Sequence, residues 1–446
     1  MSTEMNNGRY AASHAFNERS AEHIAGGVVS LNRKVEPSLV FVHAKGSKLH
    51  DADGNEYIDY HAAFAPHVLG HNDDEVNAAV NRAMADNWSL MGAGTTPWEL
   101  RVAELLRSAV ASLESVQIAN TGSEATAHAI RLSRAWTGRE DIVVTLGGYN
   151  GWHNDVARAV MPPLSATGPR VCPGEYRFLP MSAGIPESVT RRVHVINFND
   201  LESVEYVLRR YPVAGVLTEP VLQNIGVVPP RPGYLQGLRD LCDRFGAVLT
   251  FDEVKTGFRS AIGGYQSIAG VTPDLSVFGK AIANGYPMGA IGGRAEIMAQ
   301  FDASDESRRV LIAGTYNAHP LNCAAAVATI ERLQRDAGAV YGWLEELSSR
   351  LHQGLDGIFR EKGIPATVSR IGSASCTYFC DHVPRDWHDL ASSHDFDTDV
   401  RYRRKLIERG IYHFPMACKQ DSVSAAHTEA DIDRTLEITR EVVQEL

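Results

Sequence analysis

The sequence predicts an α/β fold, a mostly parallel sheet wrapped by helices in a large domain, with a smaller α+β portion towards the C-terminus. Three observations point there. Short apolar runs alternate with helical segments through the middle of the chain, the rhythm of βαβ units. The runs SVQIAN, DIVVTL, AGVLTEP, AVLTFDEV and LSVFGK have the length and composition of buried strands. A chain of 446 residues, 44% hydrophobic and 22% charged, is long enough to bury a large core and to divide into two or three domains.

In chain order, a polar N-terminal arm leads into KLHDADGNEYIDYHAAF, which reads as two short strands about an Asp-Gly turn. Helical periodicity follows in DDEVNAAVNRAMADNW and PWELRVAELLRSAVASL. Between the central strands lie the helical segments TGSEATAHAIRLSRAWTG, the stretch around residues 202–211, and YLQGLRDLCDRFG. From about Ala325 one long helix is expected through IERLQRDAGAVYGWLEELSSRLHQGLDGIF, and a smaller α+β portion then runs to Leu446. There is no internal repeat.

A net charge of −11 argues against nucleic acid, whose backbone demands a basic face, and makes small metabolites the expected partners. Six scattered cysteines without paired CxxC spacing read as reduced thiols in a cytoplasmic protein. The N-terminus has no apolar core of signal-peptide length, and no apolar run is long enough for a membrane helix. The 17 histidines form no HExxH or comparable ligand pattern, so no metal is expected.

Ligands of such sheets bind at the carboxyl ends of the strands, so the residues standing there are the candidates for chemistry. In PDLSVFGKAIANGYPMGA, Lys280 follows an apolar run and is crowded by Leu275, Val277, Phe278, Ala281 and Ile282. Most lysines are surface residues, but desolvation here would lower the pKa of the amine and make it nucleophilic, as in a Schiff-base lysine. Thr121, Gly122 and Ser123 open a helix after SVQIAN, where free N–H groups and the helix dipole favour a phosphate. A plain N-cap would use the same residues. Asp252 ends the apolar strand AVLTFD and needs a positive or donor partner; a protonated pyridine nitrogen would serve, as would Arg259 or Lys255. Tyr149, after a strand and two glycines, could cover a flat ring, and Thr315 in AGTYNAHPLN could donate to a phosphate.

Taken together, these residues resemble the class III pyridoxal-phosphate aminotransferases, in the branch containing glutamate-1-semialdehyde 2,1-aminomutase. The resemblance spans nearly the whole chain, from GGVVSLNR to AAHTEADID, and is most specific in NTGSEATAHAIRLSRAWTGR, DEVKTGFR and PDLSVFGKAIANGYPMGAIGG. It implies a type I fold with a seven-stranded, mostly parallel sheet. Residues 66–325 would form the large cofactor-binding domain, and residues 1–65 and 326–446 the arm and small domain. It also implies that Lys280 forms the Schiff base with pyridoxal 5′-phosphate and shuttles the proton. Asp252 would bind the pyridine nitrogen, and Val254 and Tyr149 would pack on opposite ring faces. Gly122 and Ser123, helped by Thr121, would hold the phosphate. Glu219 and Asn224 fall at pocket positions, and Thr315 would reach the cofactor of a neighbouring subunit in a homodimer. Arg33 matches the arginine that fixes the substrate carboxylate; a solvated basic arm, Arg33-Lys34, is the alternative.

Three departures from the aminomutase concern the substrate: Asn150 in place of a common histidine, Phe64 in place of tryptophan, and Lys419 near a glutamate position. A positive charge at Lys419 would reward a second carboxylate or a keto-acid co-substrate. The expected activity is therefore transfer of an amino group between a carboxylate-bearing amino acid and a keto acid, with the aminomutase reaction or a racemase as alternatives.

Overall fold

In the computed structural model, which describes residues 8–89 and 94–446, the central element is a seven-stranded sheet. Its strand order is Ser115–Ala119, Gly289–Gly293, Leu275–Gly279, Val248–Asp252, Val213–Thr218, Asp141–Thr145, Val193–Ile196. All neighbours are parallel except Gly289–Gly293, which runs antiparallel to both strands beside it. Strands such as Val213–Thr218 and Val248–Asp252 are buried at every position, as expected for a sheet covered on both faces. Two strands of this sheet went unread from sequence: the edge strand Val193–Ile196 and the antiparallel Gly289–Gly293.

The polar arm contains a helix, Ala11–His23, exposed along most of its length; residues 1–7 of the arm lie outside the described residues. The expected hairpin forms from Lys48–Asp51 and Glu56–Asp59, within a four-stranded sheet that also takes Phe41–Lys45 and, from the far end of the chain, Ile411–Tyr412. A second small sheet joins Thr367–Ile371, Ala374–Tyr378 and Asp421–Ser422. N- and C-terminal segments thus build one body beside the large sheet.

The single long helix expected from Ala325 is in fact two, Pro320–Arg335 and Ala337–Lys362, parted at Asp336. Asp and Gly, both poor helix formers, meet here in Asp336-Ala337-Gly338, and Asp336 leaves helical geometry at φ −106°, ψ 21°. The first of these helices starts with Pro320 at its first position and spans residue 325, where the domain boundary was expected.

Candidate active site

The carboxyl ends of five strands, Ser115–Ala119, Asp141–Thr145, Val213–Thr218, Val248–Asp252 and Leu275–Gly279, converge on a chamber of about 290 Å³ lined by Thr121, Gly122, Ser123, Tyr149, Asn150, Glu219, Asn224, Asp252, Val254, Lys255 and Lys280, among others. A second chamber of about 590 Å³ shares Tyr149, Asn224, Lys255 and Lys280 with the first and continues towards Arg33, Phe64 and Lys419.

Thr121 caps the helix Gly122–Thr137: its Oγ1 accepts from the Glu124 N–H (3.2 Å), while Glu124 accepts from the N–H groups of Asn120 (2.7 Å) and Thr121 (3.2 Å). The cap leaves Gly122 and Ser123 at the chamber wall, so it does not exclude an anion there. Gly122 has to be glycine, since a Cβ there would lie 2.7 Å from a methyl of Val254. That close contact brings the helix start against Val254, which lines the same chamber.

Lys280 follows the strand Leu275–Gly279 directly and sits at φ +50°, a strained conformation for a residue with a side chain. Burial lowers the pKa of its amine, opposed by the charges of Asp252 and Glu219. Asp252 is pushed up to about 7, first by burial and then by Glu219. It pairs with neither candidate partner. Arg259 turns away to the Ala65 carbonyl (2.7 and 3.1 Å), Ser373 Oγ (3.0 Å) and the Val423 carbonyl (3.1 Å), and Lys255 Nζ donates to the Gln223 carbonyl (2.6 Å). Instead Asp252 accepts from Asn150 Nδ2 (2.8 Å) and the Val254 N–H (3.1 Å).

Asn150 was expected to bear on the substrate; it lines the smaller chamber and donates to Asp252. Its Oδ1 accepts from Arg158 Nη2 (3.1 Å), and its carbonyl accepts from Thr126 Oγ1 (2.6 Å). Arg158 is 2% exposed, and burial pulls its guanidinium down to about 10. Glu219 accepts from the Tyr149 N–H (2.8 Å), the Gln223 N–H (3.0 Å) and Asn224 Nδ2 (2.9 Å), fixing the backbone that carries the Tyr149 ring.

In the larger chamber, Arg33 ends the short turn Leu31–Arg33, and its guanidinium has no hydrogen-bond partner among the described residues. Phe64 belongs to a run of four non-glycine residues with positive φ: Ala62 (48°), Ala63 (50°), Phe64 (68°) and Ala65 (79°). Asp59 holds one end of the run by accepting from the N–H groups of His61 (2.8 Å) and Ala62 (3.1 Å), and Arg259 holds the other at the Ala65 carbonyl. Lys419 Nζ donates to the Asn224 carbonyl (3.0 Å), and burial pulls its ammonium down to about 8. Thr315 lies outside both chambers, exposed in a turn. The sequence did not single out His61, Arg158 or Gln420, and named Lys255 only as a partner for Asp252; none stands in a pattern that would have marked it. His394, Asp399 and Cys418 also cluster, but Asp399 already accepts from Arg403 Nε (2.6 Å), His394 Nε2 (3.2 Å) and the Cys418 N–H (2.7 Å), which is a structural network.

The profile of the family described as aminotransferase class-III matches residues 30–397. The chain is 36% identical to the glutamate-1-semialdehyde 2,1-aminomutase of Natranaerobius thermophilus over 96% of its own length and 97% of the relative's. It is 39% identical to the aminomutase of Desulforapulum autotrophicum, with 97% and 98% covered. Among solved structures, an ω-transaminase from Sphaerobacter thermophilus matches with a TM-score of 0.87 at 30% identity, covering 97% of each chain. A transaminase with PLP bound matches at 0.85 and 27%, covering 98% of each. Pyridoxal 5′-phosphate is the cofactor, and the chamber suits it: an anion cradle at a helix start, a buried carboxylate with room for a cationic partner, and a desolvated amine. The chain belongs to the class III aminotransferases.

Proposed function

We propose that the protein moves an amino group between two molecules, a carboxylate-bearing amino acid and a keto acid, in two half-reactions. One observation carries this reading: among the described residues the larger chamber is lined by Arg33, Lys255, Lys280 and Lys419 and by no carboxylate. Anionic reactants suit such walls. A reactant carrying two amines, as an internal transfer of nitrogen passes through, would meet four basic side chains and no acid.

When bound, the cofactor would supply an electron sink for the charge that develops as the carbon bearing the amine loses its proton. Lys280 Nζ would hold the cofactor and then move that proton. Asp252, steadied by Asn150 and the Val254 N–H, would pair with the ring nitrogen and favour its cationic form. Gly122 and Ser123, with Thr121, would hold the phosphate, and Tyr149 and Val254 would cover the ring; Glu219 and Asn224 fix the loop beside the chamber. Arg33 and Phe64 shape the entrance for a substrate carboxylate. We assign the active form as a homodimer, with Thr315 reaching the neighbouring subunit's phosphate; its exposure beside exposed Leu311 and Tyr316 supports this. Free thiols at all six cysteines accord with a cytoplasmic setting. Among the described residues, no helix is long and apolar enough to cross a membrane.

The names of the aminomutase relatives favour a second reading, internal transfer within one substrate. A single turnover of the holoenzyme with a panel of α- and β-amino acids decides between them. Stoichiometric keto acid supports transfer between molecules; an isomeric amino acid without keto acid establishes a mutase, and an inverted one a racemase.

A further inference from the structure

Two lysines of the larger chamber, Lys255 and Lys419, are not among the groups assigned to the cofactor or the proton, although Lys255 lines both chambers. Lys255 Nζ and Lys419 Nζ donate to consecutive carbonyls of one loop, those of Gln223 (2.6 Å) and Asn224 (3.0 Å), which brings both ammonium groups to the same stretch of wall. Neither forms an ion pair among the described residues. Glu219, the acid on that loop, is occupied by Tyr149, Gln223 and Asn224. An ammonium has three donors, so each lysine retains two beyond its carbonyl.

Lys255 is buried and Lys419 half-buried, and cations drawn out of water without a paired counter-ion are costly. Burial lowers the pKa of both amines; Lys280 and Lys419 lower Lys255 further, and the charge of Glu219 opposes the shift at both. An anionic ligand group would relieve both the desolvation and the mutual repulsion.

His61 adds an independent observation. It is 6% exposed, it lines the same chamber, and neither ring nitrogen has a hydrogen-bond partner. Its ring is fixed by stacking on Phe414 (4.4 Å between centroids), and burial keeps it neutral by pulling its pKa down to about 3. A neutral imidazole offers one N–H to a carboxylate without adding a further charge.

We propose that Lys255, Lys419 and His61 form a subsite for a second anionic group, so that one substrate of the amino transfer is a dicarboxylate. Arg33 at the rim takes one carboxylate, and the lysine pair takes the other. The proposal rests on the amino-transfer reading above but can fail separately from it.

Calorimetric titration of the holoenzyme with unreactive acids of matched length tests it: succinate with butyrate, glutarate with valerate, adipate with hexanoate. At least one dicarboxylate should bind about tenfold or more tightly than its monocarboxylate partner, the scale of a charge-assisted hydrogen bond. Lys255→Met and Lys419→Met should each shrink that ratio, Lys419→Arg should largely keep it, and Arg33→Ala should weaken both acids together. The cofactor's absorption band reports that each variant is folded and loaded; if Lys255→Met fails this check, Lys419→Met decides alone. Equal binding within every pair, or a preference that survives the lysine substitutions, overturns the subsite. Because no turnover is involved, a dicarboxylate preference in an enzyme that proves to be a mutase would leave the subsite standing and remove only the two-molecule reading.

Discussion

Asn150 donates its side-chain amide to Asp252 at 2.8 Å while its own carbonyl oxygen accepts from buried Arg158. A cation is thus relayed to the carboxylate through a neutral group. Asn150→Ala leaves Asp252 less well held and raises its pKa further. A hydrogen bond to a buried charge is worth about 1.5–3 kcal/mol, so proton removal should slow by roughly 10- to 100-fold. Single-turnover rates with a deuterated amino acid read this directly, and an unchanged rate would remove Asn150 from the mechanism.

Lys280→Ala should abolish turnover and the absorption band of the covalently held cofactor. Pyridoxal 5′-phosphate should still bind through the helix start and Asp252. Turnover at the parent rate would show that another group moves the proton.

In the cofactor-free protein, Asp252 has a folded pKa of about 7 against an ordinary value of 3.8. Between these values the folded state holds a proton that the unfolded chain has lost. Its contribution to stability is therefore greatest below pH 4, declines as pH rises to about 7, and stays low above that. Denaturant titrations of the apoprotein across this window should show a fall that Asp252→Asn lessens. Parallel pH profiles for the two proteins would contradict the assignment.

Arg259 satisfies three acceptors from distant parts of the chain, at Ala65, Ser373 and Val423. Arg259→Leu leaves buried carbonyls without donors and should cost about 3 kcal/mol. A denaturant midpoint matching the parent would mean that water replaces the guanidinium.

The chemistry that stands at strand ends was legible in the sequence, because an apolar run followed by a charge fixes where that charge emerges; Lys280 and Asp252 are such cases. Gly289–Gly293 was not. GAIGG has few residues of high strand propensity, and its glycines answer to close packing: a Cβ at Gly289 would sit 2.2 Å from the Thr121 carbonyl. The roles of Lys255 and Asn150 were hidden for another reason. Each is set by a partner far along the chain or on another strand, Gln223 and Asp252 respectively, which no local pattern encodes.

The left-handed run Ala62–Ala65 costs on the order of 1 kcal/mol per residue, and its two anchors, Asp59 and Arg259, stand outside the larger chamber's lining. The direction in which residue 64 projects is therefore decided by the peptide and not by the ring it carries. Position 64 acts as a socket: a different side chain placed there inherits the aim of Phe64. The wall of the larger chamber can then change by exchange of one residue, while the strained frame around it is kept.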